Sequence, residues 1–289
     1  MKVLITGGTG QLGQALQELI VNQKHSNWEA DFKSSQDLDI TDFEAVSEVL
    51  GSKEYAYCIN CAAFTHVDKA EEDTDLARQV NVNGARNLAL GCHQNSMVLI
   101  HISTDFVFDG FQNSPYSEED VARPLGFYGD TKYKGERAII SNLEEHFILR
   151  TSWLYSEYAN NFMKTMLRLG AERDELSVVY DQVGTPTYAM DLASVIIQII
   201  NAHSIEYGIY NYSNEGVASW YDFAKAIFEE AQLEVNLKPI LSAEYPTPAR
   251  RPNYSILDKT KIKTQFNIDV PHWRDSLRVA VKAAQKIES

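Results

Sequence analysis

Apolar residues fall in short runs, separated by stretches in which they return every three or four positions. Alternation of these two rhythms through the first third of the chain predicts strand, helix, strand. Val3, Leu4 and Ile5 form an unbroken apolar run, the pattern of a strand covered on both faces. Leu12, Leu16, Leu19 and Ile20 follow at helical spacing and give one stripe to pack on that strand. Further strands are predicted at 29–32, 55–60, 98–103 and 147–153, with helices around 42–50, 74–94 and 127–142. After about residue 150 the rhythm changes, and polar, Gly- and Pro-containing loops at 182–187, 211–216 and 245–253 interleave with helices such as 220–231.

The βαβ order implies a parallel sheet with helices on both faces. The expected fold class is therefore α/β, a Rossmann-like doubly wound parallel sheet with a smaller C-terminal α/β region. Residues 1–150 are expected to form the dinucleotide-binding domain and 151–289 mainly a substrate-binding domain, some of whose segments return to the main sheet. No repeat, low-complexity tract or flexible linker separates the two.

Composition narrows the possibilities. The 289 residues carry a net charge of −14, so bulk association with nucleic acid or an anionic membrane is disfavoured, and any anionic ligand needs a local pocket. An apolar fraction of 44% argues against disorder. The best candidate for a membrane span, 195–200, is short and broken by Gln198, and Met1-Lys2 leads straight into the first strand rather than into a signal sequence. Three cysteines, an odd number, suit a reducing compartment, so a cytoplasmic location is expected. Cys58 and Cys61 spell C-x-x-C, but on a strand they point to opposite faces about 10 Å apart, too far for a disulfide or a shared metal.

Residues 6–13 read Thr-Gly-Gly-Thr-Gly-Gln-Leu-Gly between the first strand and the first helix. Glycines at 8, 10 and 13 satisfy G-x-G-x-x-G, which permits a tight turn, close approach of backbone to a pyrophosphate, and close helix–strand packing. Gly7, Gly10, Gln11, Leu12 and Gly13 are thus candidate cofactor residues. The second strand is expected to end in Phe32-Lys33-Ser34-Ser35, with no carboxylate to repel a 2′-phosphate; Ser34 and Lys33 then favour NADPH, with NADH possible. Asp39 and Ile40 could reach the adenine, although Asp39 reads equally well as part of a helix cap.

The strand at 98–103 finishes in Ser103-Thr104-Asp105, at the carboxyl edge where open α/β sheets bind ligands. Tyr128 and Lys132 follow, four apart and so on one helix face. A nearby ammonium and a positively charged nicotinamide would lower the tyrosine pKa, making Tyr128 a proton donor to a carbonyl oxygen that receives hydride, with Thr104 hydrogen-bonded to the same oxygen.

These elements together resemble the extended short-chain dehydrogenases/reductases. Stretches 60–71, 81–84, 103–110, 150–155, 160–162, 181–187 and 250–255, spread nearly end to end, are similar to the dTDP-4-dehydrorhamnose reductase family. The resemblance implies reduction of the 4-keto group of dTDP-4-dehydro-L-rhamnose by NAD(P)H, the last step of dTDP-L-rhamnose formation. It implies a catalytic set of Thr104, Tyr128 and Lys132. Ala62, Ala63 and Thr65 would join the cofactor residues, while Ser103, Thr104, Asp105, Trp153, Asn161 and Arg251 would meet the sugar nucleotide. Small Ala62 and Ala63 allow close approach, Trp153 can stack on a sugar, and Arg250 or Arg251 suits a diphosphate.

Departures from the family pattern also matter. Phe106 replaces a usual tyrosine and Cys61 a usual alanine. Some members dimerise through magnesium, but the corresponding positions here are Ala15 and Met190, with only Asp191 nearby, so no structural metal is expected and both monomer and homodimer remain open. Alternatives are a reductase giving the talose epimer, a nucleotide-sugar epimerase or dehydratase, and a non-catalytic regulator resembling the beta subunit of methionine adenosyltransferase. Phe106 following Thr104-Asp105, where a dehydratase needs Glu, counts against dehydration.

Overall fold

The computed structural model describes residues 1–22 and 28–288. Strands β1 (Lys2–Thr6), β2 (Glu29–Lys33), β3 (Tyr55–Asn60), β4 (Val98–Thr104) and β5 (His146–Thr151) join Gly208–Asn211 in one sheet. The order across it is Gly208–Asn211, β5, β4, β3, β1, β2, and every neighbouring pair is parallel. From β1 the chain goes to β2 on one side, then crosses back to β3 on the other. The carboxyl ends of β1 and β3 therefore border the crevice at which the winding reverses, the place where such sheets bind ligands.

Side-chain alternation builds the two covering layers. Val3 and Ile5 of β1 and Phe147 and Leu149 of β5 face one layer, where Leu12 and Leu16 of α1 (Gln11–Gln17) meet Val195, Ile196 and Ile199 of the helix Ala189–Asn201. Leu4, Cys58, Leu99 and Ile148 face the other, against Val46 and Leu50 of α2 (Phe43–Gly51) and Leu88 and Cys92 of the helix Ala85–Gln94. The expected doubly wound α/β sheet is present.

Two predicted elements differ. The single helix expected at 74–94 is divided into Thr74–Arg78, a wide turn at Gln79–Gly84, and Ala85–Gln94. Within the wide turn Asn81 is turned inward, donating to the Phe64 carbonyl at 3.1 Å and accepting from the Phe64 N–H at 2.9 Å. The strand expected at 147–153 stops at Thr151, because Trp153 adopts a left-handed backbone with φ 46°.

The chain also crosses the boundary near residue 150 more than once. Ala189–Asn201 and Gly208–Asn211 belong to the main sheet and its cover. A second core gathers Met163, Phe223, Ile227, Trp273, Leu277 and Val281, beside a parallel pair formed by Glu175–Val179 and Asn236–Ile240. Met190 packs against both cores.

Among the described residues, one ion pair lies wholly inside. Arg150 of β5 donates to both oxygens of Glu136, on the helix Phe127–Asn142, at 2.9 and 2.7 Å, and neither side chain is more than 3% exposed. Removing one partner strands a buried charge. Arg150→Met is therefore expected to cost about 3–5 kcal/mol in urea unfolding, while the double variant Arg150→Met, Glu136→Leu recovers most of the loss. Equal stability of the two variants would contradict this account.

Candidate active site

At the end of β1, Gly7 takes a left-handed φ of 65°, and a Cβ there would lie 2.6 Å from the Ala62 nitrogen. Only glycine lets this turn press against the loop leaving β3. No side chain caps the N-terminus of α1, whose N-cap is Gly10, so its backbone N–H groups remain available to an anion. This cradle fits the pyrophosphate of a dinucleotide.

The helix Phe127–Asn142 carries Tyr128 and Lys132 to the same edge of the sheet. Glu71 accepts from the Phe127 N–H at 2.7 Å and satisfies the helix start. Asn81 donates to Thr131 at 3.1 Å. Close packing holds the helix against the end of β4, since a Cβ on Gly129 would lie 2.2 Å from the Phe106 carbonyl oxygen. The Phe106 ring meets Tyr128 edge-on with centroids 5.6 Å apart, so the phenylalanine present here buttresses the tyrosine.

Thr104, 6% exposed, donates to Asp105 Oδ1 at 3.1 Å and accepts from the Phe106 N–H at 3.2 Å. Burial pushes the Tyr128 hydroxyl up to about 12, a hydrogen bond with Thr104 draws it back, and the Asp105 charge raises it. Lys132 is 2% exposed and donates to the Ile102 carbonyl at 2.6 Å; burial lowers it to about 8, against the pull of Glu136 and Cys61. The expectation that Lys132 draws the tyrosine pKa down is thus not met here. Its Nζ is engaged on β4, and dehydration of the phenol dominates.

Several other expected contacts are spent elsewhere. Ser103 donates to Glu136 at 2.5 Å and is 3% exposed, because alternate residues of β4 face opposite ways and Ser103 faces the interior ion pair. Asn161 caps the helix Phe162–Glu172, accepting from Lys164 N–H at 3.1 Å and donating to the Ser156 carbonyl at 2.7 Å. Arg251 is paired with Asp68 through two bonds of 3.0 and 2.7 Å, so its fork is already filled by a carboxylate. Gln11 donates to the Leu154 carbonyl at 3.4 Å and accepts from Ser156 at 3.2 Å, while the Leu12 and Ile40 side chains lie in the core. Asp39 accepts from Thr41 in a local turn, and Asp42 is the cap of α2.

At the end of β2 a carboxylate is present after all. The chain folds back so that Asp37 accepts from the Ser34 N–H and hydroxyl at 2.9 and 2.6 Å. Ala62 and Ala63 are partly exposed and Thr65 exposed in the loop after β3, beside the Gly7 turn. Trp153 lies just past the carboxyl end of β5, whose Thr151 pairs with Thr104, and its ring stacks on Trp220 with centroids 3.6 Å apart.

The model of the RmlD substrate binding domain family matches residues 1–286. The chain belongs to that family. A dTDP-4-dehydrorhamnose reductase of Aggregatibacter actinomycetemcomitans is 44% identical, over 96% of this chain and 97% of its own. Among solved structures, that of a Clostridium acetobutylicum dTDP-4-dehydrorhamnose reductase superposes with a TM-score of 0.94 at 41% identity, covering 99% of this chain and all of that one. A Bacillus anthracis dTDP-4-dehydrorhamnose reductase in complex with NADP gives 0.93 at 40% identity, covering 100% and 99%.

Motif reading within the family misses residues whose importance depends on distant partners. Trp220 is 67 positions beyond Trp153, and nothing local announces their stack. Glu71 and Asp68 lie in a stretch the family shares, yet their partners, Phe127 N–H and Arg251, are far along the chain. Among the described residues no helix is long and apolar enough to cross a membrane.

Asp105 supplies a pH signature. Burial pushes its carboxyl up to about 6 from 3.8, with bonds to Ser255 and Thr104 opposing. A raised folded pKa means that the native state binds this proton more tightly than the unfolded chain, so the stabilisation is full below 3.8 and is lost as pH rises through about 6. Melting temperatures of the wild type, relative to Asp105→Asn, should therefore fall across that window. A flat difference would contradict a dehydrated carboxyl.

Proposed function

We propose that the chain reduces the 4-keto group of dTDP-4-dehydro-L-rhamnose, using NADPH, to give dTDP-L-rhamnose. The observation that carries the reading is the convergence of Thr104, Tyr128 and Lys132 beside the Gly7 turn, in a chain of this family. A bound nicotinamide cofactor would supply the hydride. Gly7, Gly10 and the open N-terminus of α1 would hold its pyrophosphate, and Ala62, Ala63 and Thr65 would border it. NADP in the Bacillus anthracis relative supports NADPH, and Asp37 on Ser34 offers a ribose hydroxyl an acceptor, so NADH should also be used.

In the reducing direction the active-site tyrosine must arrive carrying a proton. A Tyr128 hydroxyl pushed up to about 12 is protonated at neutral pH and holds that proton at Oη, next to Thr104, for the oxygen that gains negative charge. Thr104 orients the carbonyl oxygen, and Lys132 supports the tyrosine and the cofactor ribose. The Trp153–Trp220 stack offers an apolar face to the sugar. Residues beyond 151 thus act mainly on the sugar-nucleotide side. Arg251 reaches a diphosphate only by exchanging Asp68 for it.

The test is NADPH oxidation with freshly generated dTDP-4-dehydro-L-rhamnose, with the product sugar identified by NMR. Tyr128→Phe should lower turnover about 10²–10⁴-fold while leaving cofactor affinity nearly unchanged. A talose product would keep the chemistry and change the substrate face. No turnover despite NADPH binding would overturn the reading.

A further inference from the structure

Below the proposed proton donor, a line of buried polar side chains crosses three strands. Thr6 of β1 pairs in register with Asn60 of β3, and Asn60 with His101 of β4. All three are at most 1% exposed. Thr6 Oγ1 donates to Asn60 Oδ1 at 2.7 Å, and Asn60 Nδ2 lies 2.9 Å from His101 Nδ1. The other ring nitrogen, Nε2, lies 3.5 Å from Lys132 Nζ.

The direction of this chain follows from a backbone group. The Ala62 N–H points at Asn60 Oδ1 from 3.1 Å, and a backbone N–H can only donate. The amide atom there must be the oxygen, so the NH₂ faces His101, whose Nδ1 must accept. The imidazole proton then sits on Nε2, facing the lysine. An ammonium has three N–H groups and no lone pair, so against Nε2–H it meets donor with donor. An uncharged amine in the same place can donate to the Ile102 carbonyl, 2.6 Å away, and accept from Nε2–H.

We infer that His101 is a positioning residue for Lys132, held by Asn60 as the Nε2–H tautomer so that the seat on β4 disfavours the lysine's charged form, which is favoured again on leaving it. The groups facing this pair are few. Glu136 from the lysine's own helix and Cys61 after β3 favour the ammonium, and burial outweighs them. His101 is held well below the usual histidine range by burial first, then by Lys132 and by His146 of β5. Within the proposed reductase reading, on which the catalytic meaning rests, the lysine's charge becomes linked to its place: on β4 it gives up its proton near pH 8, and toward Tyr128 and a cofactor ribose it holds that proton more firmly.

Ring-nitrogen NMR of protein carrying ¹⁵N-histidine, without cofactor or sugar, tests the tautomer directly. Expected is a neutral His101 with Nε2 protonated and Nδ1 bare across roughly pH 6–9, its Nε2 shift following a titration near pH 8 that vanishes in Lys132→Met. Asn60→Asp replaces the donor facing Nδ1 by an acceptor. It should move the proton to Nδ1, leave Nε2 free to accept from the ammonium, and raise the lysine titration by about one unit. A protonated Nδ1 in the wild type, or an Nε2 shift indifferent to Lys132→Met, would overturn the inference, and the wild type and Lys132→Met decide it even if Asn60→Asp does not fold. In the reductase assay the pH profile of Asn60→Asp should shift upward by the same unit; a merely structural Asn60 would lower yield or melting temperature and leave the profile in place. Absence of wild-type turnover with the expected NMR result would sink the reductase reading and leave this one standing.

Discussion

Glu136 must be paired with Arg150 in a region that water does not reach, and the active site is built outward from that requirement. The pair fixes the helix Phe127–Asn142 on β5, and Ser103 adds a bond from β4. One helical turn before Glu136 comes Lys132, and one turn before that Tyr128, so anchoring the first places the other two. The carboxylate lies below Tyr128 and Lys132 and fixes their position through the helix they share. Asn81 and Glu71 secure the outer part of the same helix.

The second governing fact is dehydration. A carboxyl, a phenol, an amine and an imidazole gather in the dry space around the end of β4. Burial moves each toward its uncharged form: Asp105 and Tyr128 upward, Lys132 and His101 downward. Four groups tending to neutrality can share a small space that four full charges could not. A site in this state is sensitive to whatever charge a ligand brings into it.

The fold was readable because its signals are local. A run such as Val3 to Ile5, a stripe such as Leu12 and Leu16, and a glycine turn between them each report their own conformation. The shared place of Thr104, Tyr128 and Lys132 at one sheet edge was legible in the same way, from a strand end and a helical spacing. What could not be read was how polar side chains are spent. Asn161 and Ser103 look free in the sequence, but one is needed by a helix start and the other by a buried carboxylate. Asp37 reached Ser34 through a turn lying past the expected strand end. His101 sits in an apolar run, and its proton is placed by an N–H some forty positions earlier.

The crossing of the chain between its two cores bears on how the molecule is made. β5 is complete at Thr151, but its second neighbour, Gly208–Asn211, belongs to a much later part of the chain. During synthesis from the N-terminus, one edge of the nascent sheet therefore stays open while the segments of the second core emerge, an interval in which unpaired backbone can join the wrong strand. Closing the main sheet therefore waits for Gly208–Asn211, and with it for much of the second core's sequence to have been made.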